Sequence, residues 1–216
     1  MERIRLALAK GRLEKECRKL LVRAGYDCSP LENPGRKLIH TLTPPDASKP
    51  ILEAVLAKAP DVITYVERGA CAIGVAGKDT IAEKGGPFYE MLDLGFGKCR
   101  FALAAFEGSD FFTSPGHKRV ATKYPGITRK YLEEYGIDAE LIPIEGSCEL
   151  APLLGIADAI ADIVETGDTL RENGLTVLRE FTPLSARLIV NVAAYKLRRR
   201  DVEGLIEDLK GAMGRC

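Results

Sequence analysis

An apolar run that ends in acidic residues and leads into a glycine turn constrains this chain more than any other segment. The run covers residues 157–164, carries Asp162 and is followed by Glu165. Free backbone N–H groups and hydroxyls that converge at a turn of this kind hold a phosphate well. Carboxylates beside it suit the neutral hydroxyls of a ribose, so the segment favours a phosphoribosyl group; a buried strand before a threonine-capped helix is the plainer alternative. The turn contains Thr166, Gly167, Asp168 and Thr169.

Charge and cysteine usage exclude several classes of protein. The 216 residues contain 31 Lys plus Arg and 31 Asp plus Glu, so the formal net charge is zero. A nucleic-acid binder normally carries a basic excess, so no nucleic-acid partner is expected. The six cysteines form no C-x-x-C pair and no signal-peptide region precedes them, which predicts reduced thiols in a cytoplasmic protein. No apolar run approaches 18 residues, so no membrane span is expected.

Strand-like and helix-like segments alternate along the chain. This rhythm predicts parallel sheets covered on both faces, in two α/β halves with a ligand between them. Open α/β sheets bind ligands at the carboxyl ends of their strands. Segment 51–59 is ambiguous, because its composition suits a helix but it could be a buried strand. The predicted strands are 4–9, 37–43, 71–76, 99–106, 119–122, 139–143, 159–164 and 188–194, and the predicted helices are 13–24, 62–68, 128–135, 148–154, 169–173 and 201–213.

A basic turn lies between the first predicted strand and the first predicted helix. It consists of Lys10, Gly11 and Arg12. Cations at a helix N-terminus oppose the helix dipole, and an anionic ligand would offset that cost. Arg36, at the entry of the second predicted strand, could supply another cation. A solvated basic turn and an ordinary exposed arginine are the alternatives.

Two further turns combine glycine with polar residues. Gly77, Lys78 and Asp79 repeat the pattern of a strand, a glycine and a cation at a helix start, with a helix capped by Asp79 as the alternative. Ser147 follows a glycine before a predicted helix and can be an N-cap. The two histidines lie far apart, so no protein-built zinc site is expected. The sequence contains no recognisable Ser/His/Asp or Cys/His arrangement, so no covalent nucleophile is indicated.

Several long motifs, in the same order, resemble those of the catalytic chain of ATP phosphoribosyltransferase in its short form. That enzyme family carries out the first step of histidine biosynthesis, and the resemblance covers nearly the whole chain. The motifs are LAKGR at 8–12, YVExGA at 65–70, GxxGKD at 74–79, LDLGFGKCR at 92–100, VATKYP at 120–125, GSxELAP at 146–152, ADAIADIVETGDTL at 157–170 and SxRLxxN at 185–191.

The resemblance implies a two-lobed α/β fold like that of the type II periplasmic binding proteins, with the active site in the interlobe cleft. The first lobe would comprise residues 1–98 and 181–216, and the second would comprise residues 99–180. It also implies that residues 51–58 form a strand. Three positions depart from the family pattern: Ala72 replaces an acid, Ile63 a proline and Lys58 an arginine. Lys58 keeps the charge of arginine but loses its bidentate fork.

The implied reaction transfers the phosphoribosyl group of phosphoribosyl pyrophosphate to N1 of ATP and releases pyrophosphate. Adenine N1 has a free lone pair at neutral pH, so no general base is required. By resemblance and by the geometry of the turn, the 5′-phosphate belongs to residues 165–169 and the ribose hydroxyls to Asp162 and Glu165. The Asp168 side chain is expected to point away from the phosphate.

Fixed positive charge and positioning should supply most of the catalysis. Lys10, Arg12 and Arg36 are the candidate catalytic residues, since they can reach pyrophosphate and triphosphate oxygens. Mg²⁺ should arrive on the substrate phosphates rather than in a protein cage, so no protein metal ligand is expected. The full set expected to bind ATP or pyrophosphate is Lys10, Gly11, Arg12, Arg36, Lys58, Lys78 and Asp79.

The short form implies a partner protein. Only one predicted helix, 201–213, follows the last predicted strand, which leaves no room for a histidine-binding regulatory domain. The resemblance implies a regulatory subunit similar to histidyl-tRNA synthetase, in a hetero-oligomer built on homodimers of the catalytic chain. Two other hypotheses remain open from the residues: a non-catalytic anion sensor with the same fold, and a transferase with a different base acceptor.

Overall fold

Two mixed β-sheets organise the chain, and the computed structural model describes residues 3–214. The chain passes from a first compact unit to a second after Gly97 and returns to the first after Leu184. The strands are β1 (Arg3–Ala9), β2 (Ile39–Leu42), β3 (Ile51–Ala57), β4 (Ile73–Gly77), β5 (Phe88–Asp93), β6 (Cys99–Phe106), β7 (Arg119–Thr122), β8 (Glu140–Pro143), β9 (Ala159–Val164), β10 (Leu175–Leu184) and β11 (Ala186–Asn191). The α-helices are α1 (Arg12–Arg23), α2 (Ala59–Glu67), α3 (Lys78–Lys84), α4 (Pro125–Glu134), α5 (Leu150–Leu153), α6 (Asp168–Glu172), α7 (Val192–Leu197) and α8 (Arg199–Met213).

The sheet of the first unit has the order β2-β3-β1-β4-β11-β5. β1 lies parallel to β3 and β4, whereas β2, at one edge, runs antiparallel to β3. β11 runs antiparallel to both β4 and β5. The carboxyl ends of β1, β3 and β4 therefore lie at one edge of this sheet, where a ligand of an open α/β sheet binds.

Apolar residues on alternate positions of β1 build a core on each face of that sheet. Leu6 and Leu8 belong to the core that α1 and α8 cover, and Ala7 and Ala9 belong to the core that α2 covers. Gly74 in β4 allows α2 to approach closely, because a Cβ there would lie 2.7 Å from Val66 Cγ2.

The sheet of the second unit has the order β10-β6-β9-β7-β8. β7 lies parallel to β8 and β9, while β6 runs antiparallel to β9 and β10. Phe101 and Leu103 of β6 pack in one core with α4, and Ala102 and Ala104 pack in the opposite core with Cys148. This arrangement brings the end of β9, the end of β7 and the segment before α5 to one region of the unit.

The structure corrects several sequence expectations. Both sheets are mixed rather than parallel, because the pairs β2–β3, β4–β11, β5–β11, β6–β9 and β6–β10 are antiparallel. β5, α7 and β10 had no counterpart among the predicted elements. The predicted lobe boundary at residue 181 lies inside β10, which stays paired with β6 as far as Leu184. Segment 51–57 is a strand, as the resemblance implied and the composition did not.

Helix starts also differ from the predictions. α2 begins at Ala59, three residues before its predicted start at 62. α4 begins at Pro125, three residues before its predicted start at 128, because proline is well suited to the first helical turn. α5 is a single turn whose N-cap residue is Glu149 rather than Ser147. Among residues 3–214, no helix is long and apolar enough to cross a bilayer.

Candidate active site

All six residues predicted for the phosphoribosyl group line one cavity in the second unit. Its volume is about 240 Å³, and Glu149 contributes a further carboxylate to its wall. The cavity lies where β9 ends and α6 begins, so one strand-turn-helix connection supplies most of its lining. The six residues are Asp162, Glu165, Thr166, Gly167, Asp168 and Thr169.

Gly167 gives the turn its shape. Its φ of 81° places it in the left-handed region, and it is the N-cap residue of α6. Glycine adopts this conformation without the steric cost that a Cβ imposes. The first N–H groups of a helix have no intrahelical acceptor, so this turn leaves donors for an anion. The carbonyl of Gly167 accepts from the backbone N–H of Arg171 at 3.0 Å, which closes the first turn of α6.

The Asp168 side chain lies on the turn itself. Its carboxylate accepts a hydrogen bond from the Thr166 hydroxyl at 2.5 Å and pairs with Arg171. Arg171 also donates to the Thr166 carbonyl at 3.3 Å. Asp168 therefore accepts from the Thr166 hydroxyl, which is one of the two hydroxyls assigned to the phosphate. The sequence predicted that the Asp168 side chain points away from the phosphate, and it did not predict this contact.

Asp162 lies deeper than the other acidic residues of the cavity. Its Oδ1 accepts from the backbone N–H of Ile163 at 2.7 Å. Burial raises the pKa of Asp162, and hydrogen bonding by the Ile163 N–H and the Cys148 thiol partly offsets that rise. The charge of Glu149 raises the pKa of Asp162 further, and that of Lys123 lowers it.

Arg100 supports the turn from β6, a role that the sequence analysis missed. Its Nη1 donates to the carbonyl of Glu165 at 3.0 Å, and its Nε lies 2.6 Å from Glu180 Oε1. The register pairs Arg100 with Val164, directly before the turn. The signal was present in the motif at 92–100, but only the antiparallel pairing of β6 with β9 places that arginine there.

The cations predicted for ATP and pyrophosphate follow the strands of the first unit. Lys10 comes after β1 and Lys58 after β3, and the N–H of Lys10 donates to the carbonyl of Ala57 at 2.9 Å. Both side chains are exposed. Because β1 and β3 are parallel and in register to their last residues, the two lysines lie at the same edge of the sheet.

Arg12 and Arg36 belong to the same edge. Gly11 is the N-cap residue of α1, and Arg12 is the first residue of that helix. Arg36 lies in the loop before β2, which starts where β3 ends because the two strands are antiparallel. Leu56 donates to the Leu38 carbonyl at 2.8 Å, so this loop is fixed to the end of β3. The topology thus collects four predicted cations at one sheet edge.

Lys78 belongs to an ion-pair network of the first unit. Its Nζ lies 2.5 Å from Glu90, and Arg187 contacts Glu90 at 3.4 Å and Asp93 at 3.0 Å. Ser185 donates to Asp93 at 2.9 Å. The acids of this network come from β5 and were not among the predicted site residues.

Asp79 lies in the first turn of α3 and accepts from the Thr80 hydroxyl at 3.1 Å. It does not hydrogen-bond as a helix cap, since the N-cap residue is Gly77. In the part of the chain that the structure describes, no three His, Cys, Asp or Glu side chains are grouped as a metal site requires.

The sequence model of the HisG family, the ATP phosphoribosyltransferases, matches residues 58–211. The chain belongs to the ATP phosphoribosyltransferase family. A curated ATP phosphoribosyltransferase from Clostridium kluyveri is 50% identical over 209 residues, which are 96% of this chain and 93% of that protein. Coverage of this extent on both sides agrees with the short form.

Solved structures agree with this assignment. A chain of the "ATP phosphoribosyl transferase (HisG:HisZ) complex from Thermotoga maritima" is 30% identical with a TM-score of 0.82, covering 99% of this chain and 100% of that chain. The periplasmic aliphatic sulphonate binding protein SsuA from Escherichia coli has a TM-score of 0.62 at 14% identity, covering 99% and 69% of the two chains. At that identity the likeness concerns the fold alone. The predicted ATP phosphoribosyltransferase activity, its place in histidine biosynthesis and the periplasmic-binding-protein-like fold are confirmed, and the site residues remain predictions.

Proposed function

We propose that this ATP phosphoribosyltransferase binds phosphoribosyl pyrophosphate through the second unit, and the phosphates of ATP and of the departing pyrophosphate through the first. The observation that carries the proposal is the cavity at the end of β9, which all six predicted residues line. A strand end, a left-handed glycine and a helix start supply donors for a phosphate, and neighbouring carboxylates supply acceptors for hydroxyls.

Within the cavity, the 5′-phosphate is held by the backbone N–H groups of residues 167–169 and by the hydroxyls of Thr166 and Thr169. Asp162 and Glu165 accept hydrogen bonds from the ribose hydroxyls. In this assignment the phosphate dianion is bound by backbone N–H groups and hydroxyls rather than by several cations. That suits this region, because Arg171 is already paired with Asp168. It also fixes the sugar at both ends, so that C1′ has a defined orientation.

The reaction at C1′ is a substitution. The lone pair of adenine N1 forms the new N1–C1′ bond while the bond from C1′ to the pyrophosphate oxygen breaks, and the bonding electrons leave with pyrophosphate. Lys10, Arg12 and Arg36 stabilise the charge that develops on the departing oxygens, an effect that preorganised groups provide efficiently. Lys58 and the backbone at Gly11 contribute to the same anion site.

Lys78 and Asp79 play a lesser part in this proposal. Lys78 is paired with Glu90, so it links the end of β4 to β5 and adds to the local positive field. Asp79 lies in the first turn of α3, where its charge favours the helix start. We retain both as ATP-site neighbours and assign the phosphate oxygens to Lys10, Arg12, Arg36 and Lys58, which lie at the edge where β1 and β3 end.

The cavity is compatible with a magnesium ion carried by the substrate. Mg²⁺ prefers phosphate oxygens with one or two carboxylates and keeps several waters. Glu149 lines the cavity and would offer such a carboxylate, although the sequence predicts no protein metal ligand. When bound, the ion neutralises charge on the pyrophosphate group, and the protein residues position the ribose against the base.

A direct assay tests the proposed activity. The purified chain is mixed with ATP, phosphoribosyl pyrophosphate and Mg²⁺, and the absorbance change of phosphoribosyl-ATP is followed together with pyrophosphate release. Both signals should appear at equal rates. Binding of phosphoribosyl pyrophosphate without turnover, alone and with the partner, would favour the anion sensor, and pyrophosphate release with another base would favour a different acceptor.

We also propose that the chain works as a homodimer within a hetero-oligomer that includes a regulatory subunit similar to histidyl-tRNA synthetase. The complex from Thermotoga maritima, named HisG:HisZ, supports a partner of the HisZ kind. Histidine binding to the partner would shift the catalytic chain between states of different activity. A cytoplasmic location is part of the proposal, because Cys17, Cys28, Cys71, Cys99 and Cys148 are thiols rather than disulfides.

A further inference from the structure

Two arginines hold consecutive carbonyl groups of the turn that follows β9. Arg100 Nη1 donates to the carbonyl of Glu165 at 3.0 Å, and Arg171 Nη1 donates to the carbonyl of Thr166 at 3.3 Å. Neither arginine lines the cavity at the end of β9, although Glu165 and Thr166 both do. The two guanidinium groups therefore support the backbone of the turn and leave the lining of the cavity to other groups.

Glu180 of β10 orients the Arg100 guanidinium for this contact. β10 bulges between Glu180 and Thr182, so Glu180 is the residue that lies opposite Ala102 of β6. Ala102 and Arg100 are two residues apart and share a face of the sheet, so Glu180 lies diagonally across from Arg100 on that face. Its Oε1 lies 2.6 Å from Arg100 Nε, while Nη1 of the same planar group reaches the turn. Contacts at two nitrogens fix the plane of a guanidinium, which one contact leaves free to rotate.

A hydrogen bond to a carbonyl fixes the whole peptide group to which that carbonyl belongs. The Glu165 carbonyl and the Thr166 N–H share one planar trans peptide, so the two groups point in opposite directions. With the carbonyl held at Arg100, the N–H points away from that arginine. Within residues 3–214, the structure gives this N–H no hydrogen-bond acceptor. A charged donor on the carbonyl also polarises the peptide, which makes its N–H a stronger donor.

We propose that Arg100 is a positioning residue for phosphoribosyl pyrophosphate: it holds the Glu165–Thr166 peptide so that the N–H of Thr166 donates to the 5′-phosphate. This inference rests on the proposed phosphate site in the turn. It adds one backbone donor to those of residues 167–169, and it assigns a role to the arginine that ends the motif at 92–100. Since Arg100 does not line the cavity, it acts through the peptide group without touching the substrate.

Two substitutions of Arg100 separate its contact from its charge. Arg100→Met keeps a long side chain and removes the donors, whereas Arg100→Lys keeps the charge but loses the fork that contacts two acceptors. In calorimetric titrations with Mg²⁺ present, Arg100→Met should raise the Kd for phosphoribosyl pyrophosphate about three- to tenfold, the value of one ordinary hydrogen bond. Arg100→Lys should recover only a small part of that loss. At saturating concentrations of both substrates kcat should change little, because the 5′-phosphate takes no part in the bonds that form and break.

Arg119 provides a matched control in the same unit. Its Nη1 donates to the Gly155 carbonyl at 3.1 Å and its Nη2 lies 2.8 Å from Asp158, so it too joins a backbone carbonyl to an acid. None of these three residues lines the cavity. Arg119→Met should therefore leave the Kd for phosphoribosyl pyrophosphate unchanged. Thermal unfolding of each variant shows how much stability the lost contacts contribute.

The backbone amide resonance of Thr166 reports the Arg100 contact directly. In ¹H–¹⁵N spectra of the ligand-free chain, Arg100→Met should move this resonance to lower frequency, because a carbonyl that loses its charged donor leaves the peptide less polarised. Arg119→Met should leave the resonance in place. Glu180→Ala should move it in the same direction by a smaller amount and raise the Kd less. This exposed substitution also carries the test if Arg100→Met does not fold.

The outcomes separate the positioning role from the site itself. If Thr166→Ala raises the Kd but Arg100→Met and Glu180→Ala leave it unchanged, the positioning role is overturned and the phosphate site stands. If Arg119→Met weakens binding as much as Arg100→Met, the effect is one of general stability and the inference is overturned. Full recovery in Arg100→Lys would overturn it as well, because charge alone would then suffice. If neither Thr166→Ala nor Gly167→Val changes the Kd, the proposed phosphate site is wrong.

Discussion

At the scale of single residues, the turn that we propose binds the 5′-phosphate itself carries an acid. Asp168 accepts from the Thr166 hydroxyl and pairs with Arg171, so the turn is closed by its own carboxylate. A bound phosphate dianion would need the same hydroxyl and would be repelled by the same charge. In the proposed binding mode, the affinity for phosphoribosyl pyrophosphate would include the cost of displacing Asp168, which a neutral residue would not impose.

Replacing that charge should tighten binding. Asp168→Asn should lower the KM for phosphoribosyl pyrophosphate about three- to tenfold, because repulsion is removed and Arg171 becomes available to the phosphate. Steady-state kinetics at constant ionic strength give the measurement. Glu172→Gln, an equal change of charge at an exposed residue of α6 outside the cavity lining, is the control and should have little effect. A higher KM in Asp168→Asn would show that the carboxylate supports the turn.

Arg12 supplies charge to the leaving group in the proposed mechanism. Arg12→Ala should lower kcat far more than it weakens ATP binding, by about 2–4 kcal/mol in the barrier, since the interaction strengthens as pyrophosphate departs. Turnover and equilibrium ATP binding are measured on the same preparation. Equal losses in the two quantities would make Arg12 a substrate anchor.

At the scale of elements, the connection from β9 to α6 depends on a backbone conformation. Gly167→Val should greatly weaken binding of phosphoribosyl pyrophosphate, because a Cβ disfavours a φ of 81° and blocks approach of the phosphate. Thr166→Ala should also weaken binding, with the fold intact. Calorimetric titration measures both. Gly155→Val, at a φ of 69° with open space around it, imposes similar strain outside the cavity and controls for stability. Unchanged affinity in both the Gly167→Val and the Thr166→Ala variants would refute the proposed phosphate site.

The contact of β4 with α2 predicts a difference between two glycines of the first unit. Gly74→Ala should destabilise the protein by about 1–3 kcal/mol, because its Cβ would lie 2.7 Å from Val66 and 2.9 Å from Val62. Gly204→Ala, in the interior of α8 with open space around it, should stabilise it by about 0.5–1 kcal/mol. Denaturant unfolding of both variants measures the free energies. Equal effects would show that this helix-strand contact tolerates a methyl group.

At the scale of the whole molecule, control by histidine requires a second protein in our proposal. The isolated chain should be inhibited little by histidine, and addition of the regulatory subunit should raise its turnover and confer inhibition. Four assays, with and without the partner and with and without histidine, measure the coupling, which typically amounts to about 1–3 kcal/mol. Strong inhibition of the isolated chain would contradict the proposal and place a histidine site within these residues.

The amino-acid sequence determined the local features of this protein. The strand that ends before Glu165, the glycine turn and the helix after it depend on neighbouring residues, and so do the basic turn at Lys10 and the family motifs. Local propensity and turn chemistry act over a few residues, so such segments can be predicted from the sequence without a structure. The exceptions were helix starts, the ambiguous segment 51–59, of which 51–57 is a strand, and the elements β5, α7 and β10, which had no predicted counterpart.

Only the tertiary structure decided how distant segments meet. The antiparallel pairing of β6 with β9 placed Arg100 on the Glu165 carbonyl. The ion-pair network of Lys78 and Glu90 likewise depends on how β4, β11 and β5 align. A one-residue change of register would turn every side chain of a strand to the other face, and for strands distant in the chain only their packing against the core fixes that register.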